Sequence, residues 1–491
     1  MNPLLTVSHR CHWTLNDLRS NIMGIDTKVP LLDGSSVEYV FLDNGASTPS
    51  FRHAYEVMAE FMPFYSGVHR GTGFKSLLAT HVFDEAHDIA GRFVGADLDR
   101  NTVIFLKNTT EAVNKLANRC DWREGDVVIT TLMEHHSDDL PWRKHAKVIH
   151  IGVDDKGYLN MQHLRETFAA HRGHVRFLAV TGASNITGII NPVHDLAALA
   201  HEHGAYIFVD AAQLAPHRPI NVLPDGDAGH IDFIAYSAHK MYAPYGIGVL
   251  VGPRDYFSQG DPDMVGGGVV DIVEEDFVAF SAPPAREEAG SPNVPGAVGL
   301  AAAIHMLQAA GMEKIAEHEH EMVSYAVRRM KEVPGLILFG PTEEHELANK
   351  VGVLSFEMQG TPHAKVAAIL SAEGGIGVRN GCFCAHPYVK RLLQVDEESS
   401  KALTEEILGG DRTNLPGMVR ASFGCYNNRE DVDRLVDMLH RIARGEFADS
   451  YVLDRRSGTY WPKDFDYDFA SYFPHFQFKP TTELREFSEA S

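Results

Sequence analysis

Phe233-Ile234-Ala235-Tyr236-Ser237-Ala238-His239-Lys240 is an apolar run that ends on a lysine among small and hydroxyl neighbours, and Gly246-Ile247-Gly248 opens a second apolar run to Val251 soon after. An uncharged stretch such as Phe233–Ser237 fits a strand covered on both faces. The same texture recurs outward along the chain at Val103–Leu106, Val127–Thr131, Lys147–Ile151, Arg176–Thr181, Tyr206–Asp210 and Gly246–Val251. Helix-like segments lie between these runs. In Val193–His203, for example, Leu196, Leu199 and Ala200 recur at helical spacing. Strand, helix and strand repeated in this way predict an α/β domain with a mostly parallel central sheet flanked by helices.

The texture changes after about residue 300. Helical patterns cover Ala297–Gln308 and Ile315–Val333, and Val351–Phe356 reads as a strand. Asn428 stands where it can cap a helix whose Val432, Leu435, Val436, Leu439 and Ile442 form one apolar stripe. A smaller C-terminal α+β domain is expected there. The expected organisation is an N-terminal arm over 1–37, a large α/β domain over 38–309, the small domain over 310–447 and an extension over 448–491. The extension is rich in rings, among them Tyr460, Trp461, Phe465, Tyr467, Phe469, Tyr472, Phe473, Phe476 and Phe478. So many rings are expected to pack on their own chain or on a partner subunit.

The 491 residues carry Lys+Arg 44 against Asp+Glu 66, a formal net charge of −22, with 44% hydrophobic residues. That surface repels phosphate backbones and anionic lipid, which argues against nucleic-acid and membrane partners. The cysteines, Cys11, Cys120, Cys382, Cys384 and Cys425, are odd in number and too sparse for a disulfide framework. The first residues lack the basic start and apolar core of a secretion signal, and the most apolar stretch, Ala297–Met306, is short of a membrane span. A soluble protein of a reducing cytoplasm is the expectation.

Five motifs at strand ends carry chemistry. A lysine in Ser237-Ala238-His239-Lys240 suits a Schiff base to the aldehyde of pyridoxal 5′-phosphate, with hydroxyl and imidazole neighbours for the phosphate. In Asp210-Ala211-Ala212-Gln213 a buried carboxylate at a strand end needs a cationic partner, and a protonated pyridine nitrogen is one. Asn108-Thr109-Thr110-Glu111 offers hydroxyls and backbone N–H groups at a helix N-terminus, an anion site that is equally an ordinary capping sequence. His135, in Glu134-His135-His136, is placed to stack on a cofactor ring. Asn185, in Ser184-Asn185-Ile186-Thr187-Gly188, is placed to hydrogen-bond its phenolic oxygen.

Taken in order, these residues resemble pyridoxal-phosphate enzymes of aminotransferase class V, within fold type I, and among them the cysteine desulfurase and selenocysteine lyase group. The resemblance runs over roughly residues 38 to 445, from Leu42-Asp43-Asn44-Gly45-Ala46-Ser47 through His69-Arg70-Gly71 to the last helix. It implies that Lys240 carries the cofactor, Asp210 pairs with the pyridine nitrogen, His135 stacks on the ring, and Gln213 and Asn185 hold the phenolic-oxygen side. It further implies phosphate contacts from Thr109, Thr110, Ser237 and His239, and from Ser291 across a homodimer interface. Substrate contacts would fall to His69, Asn185, Arg379 and Arg420.

Arg379-Asn380-Gly381-Cys382-Phe383-Cys384-Ala385-His386-Pro387 resembles the desulfurase active-site loop. A planar guanidinium at Arg379 suits a substrate carboxylate. Counted from Arg379, Cys384 stands in the nucleophile's place, but Cys382 leaves the assignment open and a thiol pair can resolve a persulfide internally. No further zinc ligands are evident beside the pair, so no metal is expected there. The run from Asp396-Glu397-Glu398 to Gly409-Gly410-Asp411 reads as a surface excursion. The implied activity is sulfur transfer from L-cysteine to Cys384, with release of alanine and onward delivery to a sulfur-acceptor protein. His135, whose free side chain titrates in the working range, would be a proton carrier. The alternative is another class V reaction on a different amino acid: a carbon–sulfur or selenocysteine lyase, an epimerase or an aminotransferase.

Overall fold

The structure is a computed structural model and describes residues 13–476 except 464 and 466; Cys11 and Phe478 lie outside the described residues. The central sheet has seven strands: β1 (Asn101–Leu106), β2 (Val127–Thr131), β3 (Lys147–Ile151), β4 (Val175–Thr181), β5 (Tyr206–Asp210), β6 (Phe233–Ser237) and β7 (Gly248–Pro253). Their order across the sheet is β1-β7-β6-β5-β4-β2-β3. All neighbours are parallel except β7, which runs antiparallel to both β1 and β6. The reason is local. The link from β6 to β7, residues 238–247, carries only one short turn of helix and is too short for a crossover, so the chain must return beside itself. Gly246, at φ +70°, makes the turn, and β7 therefore starts at Gly248 rather than at Gly246.

Alternate residues of these strands bury into opposite faces. Val127, Ile129, Leu178, Val180, Ile207 and Val209 join the larger core, while Val128, Phe177, Ala179, Phe208, Phe233 and Ala235 join a second one. Both faces are dry, which is why the strands read as continuous apolar runs. On the larger face lie α1 (Arg52–Phe61) and α2 (Phe74–Phe93), with α3 (Thr109–Arg119) opposite them and α4 (Val193–Glu202) beside α1 and α2. The apolar α5 (Val294–Ala310) is buried along nearly its whole length against α1 and α2. Among the described residues no single helix is long and apolar enough to cross a membrane.

A second sheet follows α6 (Met312–Met330). Its strands are β8 (Leu336–Phe339), β9 (Val353–Met358), β10 (Arg379–Gly381) and β11 (Met418–Ser422), ordered β8-β9-β11-β10 and antiparallel throughout. Helices α7 (His363–Gly374) and α9 (Arg429–Ala443) share its core with α6, and α8 (Glu397–Leu408) precedes β11. The stripe Val432, Leu435, Val436, Leu439 and Ile442 is buried, and Asn428 caps α9 by accepting a hydrogen bond from Asp431 N at 3.0 Å. Val40 and Leu42 bury in this smaller core, because Val40–Phe41 pairs in parallel with Ile376–Gly377. That pairing carries Asp43 to the edge of β11.

The acidic run after Asp396 is the exposed helix α8, which buries no side chain and is capped by Asp396. In the extension, β12 (Tyr451–Asp454) and β13 (Thr459–Pro462) form a hairpin against α7, and Tyr451 donates to Glu373 Oε1 at 3.0 Å. The rings beyond it, Tyr472, Phe473 and Phe476, are exposed on this chain.

Candidate active site

Every motif residue at a strand end comes to one edge of the large sheet, the carboxyl ends of its parallel strands, where α/β sheets bind ligands. β6 ends at Ser237 and turns through Ala238–Lys240; β5 ends at Asp210, whose register partner on β6 is Ala235. Loops after β1, β2 and β4 bring Thr109 and Thr110, His135, and Asn185 to the same edge.

Charge is tuned around Lys240. Burial pulls its ammonium down to about 8, Asp210 pulls it back up, and Arg420 lowers it. Asp210 is itself raised by burial, an effect only partly offset by the Ala212 N–H that it accepts at 2.8 Å and by Lys240. His135 is held down to about 3 by burial and by Lys240, and His239 to about 4 by the same two causes. Both rings are therefore neutral at working pH. His135, expected from its free value to carry protons near neutrality, is instead a weak base because its site is dry and cationic. Beneath them Glu134 and Asp138 are fully buried and both raised by burial. Thr131 donates to Glu134 Oε1 at 2.7 Å and Trp142 Nε1 to Asp138 Oδ1 at 2.9 Å.

The helix N-terminus of α3 forms a cradle. Asn108 caps it through Glu111 N at 3.1 Å, and Thr109 N and Oγ1 both lie 2.8 Å from Ser237 Oγ. Thr110 Oγ1 lies 2.6 Å from Ser137 Oγ, which is 2.9 Å from His135 Nδ1. A Cβ on Gly248 would lie 2.5 Å from Asn108 Cα, so only glycine lets β7 approach this turn. Hydroxyls and N–H groups at a dipole's positive end suit a phosphate. Gln213 donates to Gly45 O at 2.6 Å, while its Oε1 is buried with no partner. An orphaned acceptor, a buried carboxylate and a lysine poised to lose its proton fit pyridoxal 5′-phosphate.

The small domain supplies the opposite wall. Arg379 and Arg420 are direct register partners on β10 and β11, a pairing that like charges disfavour. Asp43 resolves it: its two oxygens reach Arg379 at 2.8 Å and Arg420 at 3.2 Å. Arg420 is buried, donates to Asn185 O at 3.1 Å, lies over the Phe383 ring and keeps Nε without a partner. Arg379 is half exposed.

The cysteines of the loop separate sharply. Cys382 is buried, donates its thiol to Pro416 O at 2.8 Å and is pushed up to about 11 by burial. Cys384 is exposed and lies within electrostatic reach of Lys240 and Arg420. Phe383 and Cys384 both have left-handed backbones, φ +48° and +56°. Asn185 Nδ2 holds Phe383 O at 2.8 Å, His136 N holds Cys384 O at 2.7 Å, and His136 Nε2 accepts from His386 N at 3.3 Å.

Sequence reasoning did not single out Asp43, His136 or His386 as site residues. All three lie within the stretches Leu42–Ser47, Glu134–His136 and Arg379–Pro387 but carry no local signal of their own. Two expected residues stay apart in this chain. His69 is exposed and pairs with Asp84 at 2.9 Å, and Ser291 is exposed on the turn before α5.

The model of the family described as aminotransferase class-V matches residues 40–435. A cysteine desulfurase of Haloferax volcanii is 35% identical over 425 residues, 85% of this chain and 92% of that protein. One from Escherichia coli is 34% identical over 82% of this chain and 93% of its own. Among solved structures, the apo cysteine desulfurase of Thermococcus onnurineus superposes with a TM-score of 0.75 at 32% identity, covering 87% of this chain and 98% of that one. An Escherichia coli cysteine desulfurase in its S-sulfonic acid form gives 0.72 at 27% identity, covering 89% and 100%. With the lysine, the carboxylate and the helix-end cradle all at the sheet edge that the matched segment encloses, the chain belongs to the aminotransferase class-V family.

Proposed function

We propose that this protein is a pyridoxal-phosphate-dependent cysteine desulfurase that moves sulfur from L-cysteine to Cys384 and releases L-alanine. The observation that carries the reading is the exposed Cys384 thiol, held on a strained loop facing Lys240 and Arg420. The relatives named above as cysteine desulfurases support it.

The cofactor supplies an electron sink, kept effective by a protonated ring nitrogen that Asp210 would pair. Lys240 would hold it, the Thr109–Thr110–Ser237 cradle and His239 its phosphate, Gln213 and Asn185 its phenolic oxygen, and His135 its ring face. The rest falls to the protein. Arg379 exchanges Asp43 for the substrate carboxylate, while buried Arg420 keeps Asp43 and Asn185 in place. The Lys240 amine, pushed down to about 8, takes the α-proton. The Cys384 thiolate attacks the substrate sulfur, so an S–S bond forms as the C–S bond breaks, and carbon receives the bonding pair and a proton. Cysteine plus the enzyme thiol thus become alanine plus an enzyme persulfide. Two equivalents of an external thiol, or an acceptor protein's thiol, then discharge it.

We place the working form as a homodimer. Phe74 and Leu77 are exposed, as are Val265, Val273 and Phe277, and Arg70 donates to Val270 O at 2.8 Å to join the two segments. A second copy would cover this surface, and the mass of the purified protein in solution tests it.

Incubation with L-cysteine and a thiol reductant is expected to yield alanine and sulfide in equal amounts. Pyruvate with sulfide would instead mean elimination and would end the reading. Arg379→Ala should raise KM for cysteine between tenfold and roughly a hundredfold, since a charged hydrogen bond contributes about 1.5–3 kcal/mol. An unchanged KM would remove Arg379 from the substrate site.

A further inference from the structure

At the opposite end of the large sheet, His201, His230 and Asp232 bring two ring nitrogens and a carboxylate together, all within 4.8 Å of one another. His201 stands in the last turn of α4, His230 and Asp232 on the segment entering β6. His201 Nε2 lies 2.9 Å from Asp232 Oδ2, and His230 Nε2 lies 3.1 Å from Asp232 Oδ1. The rings stack at 4.2 Å with 23° between their planes.

The other nitrogen of each ring is already committed. His201 Nδ1 donates to Ala228 O at 2.8 Å and His230 Nδ1 to Asp227 O at 2.8 Å. A carbonyl only accepts, so each Nδ1 carries the proton, and in a neutral ring each Nε2 is then a bare lone pair. Two lone pairs and a carboxylate converge, and all three are acceptors. Only cations reconcile them. Two extra protons would do so by stacking two imidazolium rings face to face. One dication satisfies the same three atoms without that repulsion.

We propose that His201 Nε2, His230 Nε2 and Asp232 form a binding site for a divalent transition-metal ion, zinc in the first place. The Nδ1–H to carbonyl bonds are the outer contacts that metal-bound histidines use to fix tautomer and ring angle. Zinc with nitrogen and oxygen ligands at about 2.0–2.2 Å in a tetrahedron sets neighbouring donors about 3.3 Å apart; the nitrogen–oxygen spacings of 2.9 and 3.1 Å are a few tenths of an ångström short of that, and no pair of the three donors is more than 4.8 Å apart. Asp232 is buried and anchored, accepting Ile207 N at 2.8 Å from β5, while both histidines are partly exposed and leave the fourth position to water. Asp210 closes the far end of the same strand, so an ion here lies about 13 Å along β5 from the cofactor edge. It clamps α4 to the strand entrances rather than taking part in sulfur transfer.

The test is equilibrium dialysis of the cofactor-loaded full chain, first stripped with a chelator, against micromolar Zn2+, for wild type, His201→Gln, His230→Gln and Cys384→Ser. Wild type and Cys384→Ser should bind one equivalent at this site, and each histidine variant should lose at least about tenfold in affinity while keeping desulfurase turnover. Zinc retained in both histidine variants, lost only in Cys384→Ser, or absent from wild type would overturn the proposal. The Co2+ form of the unaltered chain gives a reading free of mutation. Ligand-field bands without thiolate charge transfer support the site, and thiolate charge transfer alone overturns it.

Discussion

Lys240→Ala is expected to abolish covalent capture of the cofactor and to lower kcat at least about a thousandfold, since it removes both the attachment point and the base. Borohydride treatment of wild type should fix the cofactor to the chain as an added mass on Lys240, and the variant should show no added mass. The geometry sets the pH dependence too. The folded value is depressed to about 8 because burial disfavours the ammonium, so neutral amine accumulates as pH rises. About a tenth of the lysine is neutral at pH 7 and about half at pH 8. Cofactor attachment should therefore speed up from pH 7 and level off above about 9. Asp210 opposes this shift through its attraction for Lys240, so Asp210→Asn should move the midpoint lower. A variant at Lys240 that kept more than a few per cent of wild-type turnover would remove it from the mechanism.

The large sheet was legible because its strands are dry on both faces and therefore continuous in the sequence. Lys240 and Asp210 were legible because each closes such a run, where a charge needs a reason. The antiparallel β7 was harder to foresee, since its direction depends on the short link from β6 rather than on its own residues. Asp43 carried no local signal: its pairing with Arg420 spans 377 positions and exists only because Val40–Phe41 joins the edge of the smaller domain. His135 was read with its solution acidity, which a buried site beside a lysine does not preserve. His201, His230 and Asp232 were invisible for a similar reason, because α4 and the entrance to β6 meet only once β5 and β6 pair. Spacing along a chain reports a face of one element; it does not report which turns two elements share.

Cys384→Ala should reduce sulfide and alanine production at least about a hundredfold while leaving cofactor attachment at Lys240 intact, and Cys382→Ala should keep turnover. The two thiols lie two residues apart, and burial is what divides them. Cys382 has its proton committed to Pro416 O and a pKa pushed up to about 11, so at pH 8 about one part in a thousand is thiolate. Cys384 is exposed at the end of the loop, within electrostatic reach of Lys240 and Arg420. Consecutive left-handed residues at Phe383 and Cys384 cost about 1–2 kcal/mol each, and the loop persists because Asn185 and His136 hold its carbonyls. Stability then separates strain from chemistry. Cys384→Ala keeps a Cβ at a left-handed position and should leave Tm nearly unchanged, whereas Cys384→Gly relieves it and should be about 1 kcal/mol more stable than the alanine variant. Both should be equally inactive, since neither has a thiol. If Cys384→Ala kept full activity and Cys382→Ala lost it, the buried thiol would be the sulfur acceptor, and the strained turn would serve only to seat Phe383 under Arg420.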